Sequence, residues 1–207
     1  MSPRKAAVLR DAGDGRSLRD HLIATAARLI AERGTVGLTV RAIAREAGVA
    51  DGVLYNHFAD KEELLAYALR AYVRSVERTL SGLPVAGDGT VAANLRAYVA
   101  YGLAMHKSVL PAFTGFFSQP KVLARFAEIS EPGADWRDRL LGYLRAERDL
   151  GRLPAAARVD AAATLIVGFC HETVISALFG GPATVPGPSP EAVDDLLHVI
   201  LHGIVVT

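Results

Sequence analysis

The histidines of this 207-residue chain are the residues whose spacing comes nearest to that of metal or catalytic sites. His171 and Glu172 begin a stretch that would need a second histidine at position 175 to form a zinc-protease helix, and that position holds Ile175. His198 and His202 lie four residues apart, on one helical face, but no third ligand is near them in the sequence. The spacing therefore favours histidines of an interface or a solvated surface over a metal site.

The other residue types that carry enzyme chemistry form no recognisable site. The sequence contains no nucleophile elbow, no Walker loop and no dinucleotide-binding fingerprint. Cys170 lies among apolar residues in mid-helix, which favours an inert core thiol. Because it is the only cysteine, an internal disulfide is impossible and a reducing compartment is indicated. We predict no enzyme activity, no cofactor and no metal.

No targeting or membrane-spanning segment is predicted. The first apolar stretch ends at Arg10 after four residues. The longest uncharged apolar runs, 161–170 and 196–207, are shorter than the roughly 20 residues that a membrane helix needs. We therefore predict a cytoplasmic protein without membrane contact.

Residues between Thr39 and Phe58 follow a distinctive order. Thr39 is a good N-cap for a short helix that reaches Ala47, and Gly48 relieves the backbone where that helix ends. A second short helix is predicted over Ala50–Phe58, with short and polar side chains on its exposed positions. Two short helices joined by a tight turn form a helix-turn-helix, whose second helix can enter the major groove of DNA.

This segment resembles the N-terminal domain of the TetR family of transcriptional regulators, in unbroken order from the helix after Ser17 to Leu64. The similarity is carried by Gly34, Leu38-Thr39, Ile43-Ala44, Ala47-Gly48-Val49, Gly52, Leu54-Tyr55, His57-Phe58 and Lys61. The resemblance implies a DNA-binding regulator, most often a repressor. Such a protein binds a pseudo-palindromic double-stranded operator as a homodimer and is released by a small, mostly apolar effector.

The resemblance also implies which residues contact DNA. Thr39 and Lys61 start helices and can hold phosphates, while Arg41 can reach a phosphate or a guanine edge. The start of the recognition helix supplies the positions that read bases. The full set is Thr39, Arg41, Asp51, Gly52, Val53, Tyr55, Asn56, His57 and Lys61.

Asp51 departs from the family, in which this position is more often basic or neutral. An acidic side chain near phosphates is electrostatically unfavourable. Two interpretations stay open: Asp51 accepts a hydrogen bond from a cytosine amino group, or it caps the recognition helix in place of Ala50.

The N-terminal part of the chain carries a small positive charge, which is the sign expected of a nucleic-acid-binding module. The formal net charge is only +1, but residues 1–61 carry ten Lys/Arg against seven Asp/Glu, and the remainder carries 13 against 15. This balance excludes a histone-like coat protein and is compatible with a local basic surface.

A competing hypothesis is a helical small-molecule-binding protein or enzyme with a vestigial helix-turn-helix, which Asp51 and the low net charge would support.

The apolar periodicity predicts an all-α chain of about nine helices. Ser17 with Asp20 suits a helix start, Gly34 suits its end, and Asp60 with Glu63 caps the helix after the helix-turn-helix. Later helices are predicted at about 90–108, 111–129, 134–150, 158–179 and 190–206, with Pro111 separating two of them. The predicted domains are a flexible arm (1–16), a three-helix helix-turn-helix domain (17–63) and a larger helical domain for ligand binding and dimerisation (64–207).

The last two predicted helices are apolar on more than one face, so they need cover that a second copy would supply as a four-helix bundle. The residues expected in that interface are Leu165, Phe169, Val174, Leu178, Leu197, Ile200, Leu201 and Ile204. In the family, the middle helices hold a mostly apolar pocket. The candidates for it are Tyr101, Met105, His106, Phe113, Phe116, Phe117, Trp136, Phe169 and His171.

Overall fold

The computed structural model describes residues 17–131, 133, 135–180 and 187–203, and every regular element in these ranges is a helix. The α-helices are α1 (Leu18–Arg33), α2 (Val40–Glu46), α3 (Lys61–Thr79), α4 (Val91–Thr114), α5 (Pro120–Glu128), α6 (Trp136–Asp149), α7 (Val159–Gly180) and α8 (Pro190–His202). One 3₁₀ helix, Asp51–Asn56, lies between α2 and α3. Over these ranges the prediction of about nine helices and no strands is confirmed. The predicted arm, 1–16, lies outside the described residues.

The chain forms two compact units, and helices α3 and α4 each contribute residues to both. The first unit contains the described residues up to Glu77 together with Pro111–Ser130. The second contains Arg78–Leu110 and the described residues from Glu131 onward. The first unit extends past the predicted helix-turn-helix domain, because residues of α3, the end of α4 and α5 share its hydrophobic core. The predicted division of function between residues 63 and 64 remains a prediction.

Short-range caps position the helices of the first unit as the sequence predicts. Ser17 Oγ accepts a hydrogen bond from the N–H of Asp20 at 3.1 Å. Gly34 ends α1 with a φ of +71°. Thr39 Oγ1 accepts from the N–H of Ala42, also at 3.1 Å. Each cap satisfies a backbone donor that the helix itself leaves unpaired.

The predicted break at Pro111 is wrong, because α4 continues through this residue to Thr114. A proline inside a helix removes the hydrogen bond to the carbonyl four residues earlier, here that of Lys107. The turn beyond it is held by tertiary contacts: Ala112 is buried, and its carbonyl oxygen accepts a hydrogen bond from Thr35 at 3.0 Å. The next helix therefore begins at Pro120 instead of 111.

Helix α7 as a whole is longer and more apolar than the short uncharged runs on which the sequence prediction was based. By length and composition alone, Val159–Phe179 is suited to cross a membrane, and only 22% of its most apolar window is buried. The sequence prediction counted uncharged runs, whereas this helix also contains Asp160 and Glu172. Its apolar surface thus exceeds what the second unit covers.

Candidate nucleic-acid interface

The turn between α2 and the 3₁₀ helix is closed by two backbone hydrogen bonds around Gly48. The N–H of Val49 donates to the carbonyl of Ala44 at 3.0 Å, and the N–H of Gly48 donates to that of Arg45 at 3.2 Å. This double pattern ends a helix when the residue after its cap adopts a left-handed conformation, and Gly48 has a φ of +70°. Gly48 therefore fixes the direction in which the chain leaves α2.

The element predicted as the recognition helix is a single short 3₁₀ helix, Asp51–Asn56. The N–H of Val53 donates to the carbonyl of Ala50 at 2.9 Å, the three-residue bond of this tighter helix. Leu54 is 2% exposed and anchors the segment to the core of the first unit. Of its two neighbours in the sequence, Val53 is half-buried and Tyr55 is exposed.

All nine residues predicted to contact DNA retain solvent exposure. Val53 and His57 are half-buried. Tyr55 is 61% exposed, so packing in the core does not account for this aromatic side chain. Their contacts with DNA remain predictions. The exposed members are Thr39, Arg41, Asp51, Gly52, Tyr55, Asn56 and Lys61.

Asp51 has a partner that neither sequence interpretation included. The N-cap of the 3₁₀ helix is Ala50, and no side chain bonds there, so the capping interpretation of Asp51 is wrong. Instead, Asp51 Oδ2 lies 3.2 Å from Nε of Arg41. Both side chains are on the surface, 54% and 89% exposed respectively. The ion pair joins the first turn of α2 to the start of the 3₁₀ helix.

The N-terminus of α3 is held in place by Glu63. Its Oε2 accepts the N–H of Ala59 at 2.7 Å, while Asp60 Oδ1 accepts the N–H of Glu63 at 2.7 Å, which confirms the predicted cap. Arg19 of α1 donates to Oε1 of the same carboxylate at 3.1 Å. Lys61 is therefore exposed at a fixed helix N-terminus, where the helix dipole also favours an anion.

Residues 22–68, which run from α1 into α3, match the bacterial regulatory proteins of the tetR family. The match covers 47 of the 207 residues, so this N-terminal segment is similar to the TetR family. The repressor KstR2 of Mycobacterium tuberculosis is 47% identical to the chain over 64 residues, which cover 31% of this chain and 32% of that protein. This match thus spans about a third of the repressor's length. KstR2 of Rhodococcus jostii is 28% identical over 193 residues, 90% of each chain.

A likeness in fold extends over most of the chain. The crystal structure of FadR from Bacillus subtilis in complex with stearoyl-CoA has a TM-score of 0.59 and 21% identity, covering 89% of this chain and 98% of that one. At this identity the similarity concerns the fold alone. The family match concerns the predicted helix-turn-helix, and the prediction of a transcription regulator instead of an enzyme remains a proposal.

The predicted effector residues are divided between the two units. Phe113, Phe116 and Phe117 lie in the first unit, where Phe116 is core and Phe117 is 66% exposed. The other six candidates lie in the second unit, and Tyr101, His106 and Trp136 among them are buried. The six are Tyr101, Met105, His106, Trp136, Phe169 and His171. Their role in ligand binding remains a prediction.

Three of these candidates meet, because the ring of His106 contacts those of both Trp136 and His171. The rings of His106 and His171 lie 4.5 Å apart between centres, and His106 Nδ1 donates to the carbonyl of Gly102 at 2.6 Å. Burial lowers the pKa of both imidazoles below the ordinary value. Both side chains therefore favour the neutral form near pH 7.

A cavity of about 430 Å³ in the second unit lies between α4 and α7. Its lining is mostly apolar, and Lys107 is the charged residue among the described members. None of these residues was predicted to line a pocket, because most of the predicted pocket residues were aromatic or histidine side chains, and Val174 and Leu178 were predicted in the dimer interface instead. The helical spacing of Leu103 with Lys107 and of Val174 with Leu178 was the available signal. The described lining is Leu103, Ala104, Lys107, Thr173, Val174, Ala177, Leu178, Gly187 and Pro188.

The predicted dimer residues are partly exposed and partly core. Leu165 and Leu178 are 52% and 44% exposed, whereas Val174 and Leu197 are buried within the second unit itself. Phe169, Ile200 and Leu201 are half-buried, and Ile204 lies outside the described residues. Three further apolar side chains are exposed on α7 and α8 that the prediction did not include: Ile175, Phe179 and Val199.

Proposed function

We propose that this chain is a ligand-responsive repressor of the TetR family that binds a pseudo-palindromic operator as a homodimer in the cytoplasm. The observation that carries the proposal is the exposure of the DNA-contacting candidates on a helix-turn-helix whose turn, caps and core are all formed. Thr39 Oγ1 accepts the N–H of Ala42, so its own O–H proton is free to bind a phosphate. Lys61 offers a second phosphate contact at the start of α3.

The exposed apolar side chains of α7 and α8 support the homodimer. Leu165, Ile175, Leu178, Phe179 and Val199 are each more than a third exposed. An apolar helix surface of this extent is normally covered, and a twofold pair of such helices covers both copies at once. Twofold symmetry then predicts two half-sites about 34–36 Å apart.

The cavity between α4 and α7 supports a small effector with an apolar body and one negative charge. Leu103, Val174 and Leu178 offer apolar contacts, and the Lys107 ammonium can pair with an anionic group. Stearoyl-CoA, the molecule bound to FadR, likewise joins an apolar chain to anionic groups, although it carries several of them. An effector that prefers one arrangement of the dimer would change operator affinity by about 5- to 150-fold.

The DNA-binding part is tested by selection from a pool of random-sequence duplexes with the full-length chain. Affinity for the enriched duplex is then measured by fluorescence anisotropy. We expect Tyr55→Ala and Lys61→Ala each to weaken binding by about tenfold or more, because each removes a contact from both half-sites. Lys107→Ala removes the same charge in the second unit and should leave DNA affinity unchanged.

Two outcomes would contradict the repressor. One is that the wild-type chain enriches no duplex, which would favour the helical small-molecule-binding protein. The other is that neither Tyr55→Ala nor Lys61→Ala weakens binding.

The salt dependence of binding gives a further check. A dimer with about six to ten phosphate contacts should lose roughly 10³- to 10⁵-fold in affinity between 50 and 200 mM salt.

The effector part is tested with stearoyl-CoA and palmitate as probes and choline as the cationic control. We expect the two anions to raise the thermal unfolding temperature of the wild-type chain, since a ligand that binds only the folded state stabilises it. Lys107→Met keeps the length of the side chain and removes the charge, so the shift should shrink. Equal shifts in wild type and Lys107→Met would contradict this role of Lys107.

A further inference from the structure

The ion pair between Arg41 and Asp51 lies among the residues proposed to face DNA. Arg41 is in the first turn of α2, and Asp51 is the first residue of the 3₁₀ helix. The 3.2 Å contact uses Nε of the guanidinium. No further partner of Arg41 appears in the part of the chain that the structure describes, so its two terminal nitrogens are open to a ligand.

The pair changes what Arg41 can contribute to DNA binding. An unpaired, exposed arginine neutralises a phosphate and releases a counterion, whatever the base sequence. When it is paired with Asp51, the two side chains together carry no net charge, and phosphate must compete with a carboxylate already in place. If a phosphate took Arg41 away, the Asp51 carboxylate would be left uncompensated beside the DNA backbone. Both effects weaken binding to DNA of arbitrary sequence.

We propose that Asp51 is a positioning residue that restrains Arg41 from binding backbone phosphates and so raises the ratio of specific to non-specific DNA binding. The inference rests on the proposed function. It accounts for an acidic residue among the positions proposed to face DNA, which neither helix capping nor core packing explains. It also leaves the terminal nitrogens of Arg41 for a hydrogen-bonded contact such as the O6 and N7 edge of guanine.

The test measures the salt dependence of binding to a 30-bp duplex of mixed sequence with the full-length chain. In Asp51→Asn, Arg41 is released at nearly unchanged side-chain volume. The slope of log K against log salt should steepen by about 0.9 for each Arg41 that gains a phosphate, or about 1.8 for two copies. At fixed low salt, affinity for this duplex should rise by about two- to thirtyfold, the range expected from losing one exposed ion pair per copy.

A double-mutant cycle separates restraint from simple removal of a negative charge. In the Arg41→Ala background, Asp51→Asn should change the salt slope little, because no guanidinium is left to release. If the full increment persists in that background, Asp51 acts by bulk charge and the proposal is overturned. The ratio of affinities for the selected and mixed duplexes should fall in Asp51→Asn. An unchanged ratio would also overturn it.

The matched control is Asp160→Asn, which breaks the ion pair of Arg145 and Asp160 in the second unit. That pair has the same 3.2 Å separation and comparable exposure, 52% and 68%. Its loss should leave the slope unchanged. If the wild-type chain binds neither duplex, the proposed function and this inference both fail. If it binds both and Asp51→Asn behaves as wild type, the inference alone fails.

Discussion

Thr35 Oγ1 donates a 3.0 Å hydrogen bond to the carbonyl oxygen of Ala112, across 77 positions of sequence. Ala112 lies in the last turn of α4, where carbonyls lack the partner that a next turn would supply. Thr35 lies in the connection between α1 and α2 and is 4% exposed. The start of the helix-turn-helix is thus tied to the end of α4 within the first unit.

Replacing Thr35 with valine should remove this bond and keep the shape of the side chain. We expect the free energy of unfolding to fall by about 1–3 kcal/mol, because the carbonyl of Ala112 stays buried without its partner. Urea unfolding followed by circular dichroism at 222 nm measures the change. Thr164→Val, which loses an exposed bond to the carbonyl of Asp160, should change stability by less than about 0.5 kcal/mol. Equal changes in the free energy of unfolding for the two variants would show that the buried Thr35 bond stabilises the fold no more than an exposed one.

Gly115 permits the close approach of Thr35. A Cβ at position 115 would overlap Oγ1 of Thr35 and lie 2.9 Å from its Cβ, so Gly115→Ala should destabilise the fold by about 1–3 kcal/mol. Gly142→Ala is the matched control, since a Cβ there meets nothing within 4 Å, and alanine in mid-helix should stabilise by about 0.5–1 kcal/mol. Thermal unfolding of both variants decides the point. A Gly115→Ala chain as stable as wild type would contradict the steric argument.

Glu147 is entirely buried, and its charge is matched by Arg152, whose Nε lies 3.2 Å from Oε2. Arg152 also donates to the carbonyl of Gly89. Arg152→Met should therefore destabilise the chain by about 3–5 kcal/mol, because a buried carboxylate loses its counter-charge. Arg145→Met breaks the exposed pair with Asp160 and should have an effect below about 1 kcal/mol. Chemical denaturation that ranks the two variants equally would argue against a special role of the buried pair.

Stability should depend on pH through His106 and His171. Burial lowers the pKa of both in the folded state, so the unfolded chain binds more protons below about pH 6.5. Their contribution is therefore present above that pH and is lost as the pH falls. His106→Gln should reduce the loss of unfolding free energy between about pH 7 and pH 5.5. His198→Gln, at an exposed position on α8, serves as the control. A His106→Gln chain with the full wild-type pH dependence would contradict this origin.

Features set by neighbours in sequence were predictable, and features set by distant partners were not. The caps at Ser17, Thr39 and Asp60 follow from residues three positions apart, so the pattern alone locates them. The continuation of α4 through Pro111 depends in part on Thr35, 76 positions earlier, which no local rule includes. Helix propensity predicts a break there, and tertiary contacts override it.

The same distinction applies to the site. The exposed face of the helix-turn-helix was predictable, because the apolar residues that fix it recur at helical spacing and leave the others outside. The pairing of Asp51 with Arg41 crosses the turn and needs the geometry of that turn. The cavity was missed for another reason: its lining includes small and aliphatic residues such as Ala104 and Ala177, which carry no distinctive chemistry in the sequence.

Trp136 and Cys170 are the only tryptophan and the only cysteine, and both are buried in the second unit. Burial raises the pKa of the Cys170 thiol to about 12, so a thiol-modifying reagent reaches a reactive thiolate only when that unit opens. Indole fluorescence and thiol labelling therefore both follow the melting of this half of the molecule. Unfolding of the first unit alone would change neither the indole fluorescence nor the rate of thiol labelling. The two measurements therefore report the unfolding of the second unit separately from that of the first.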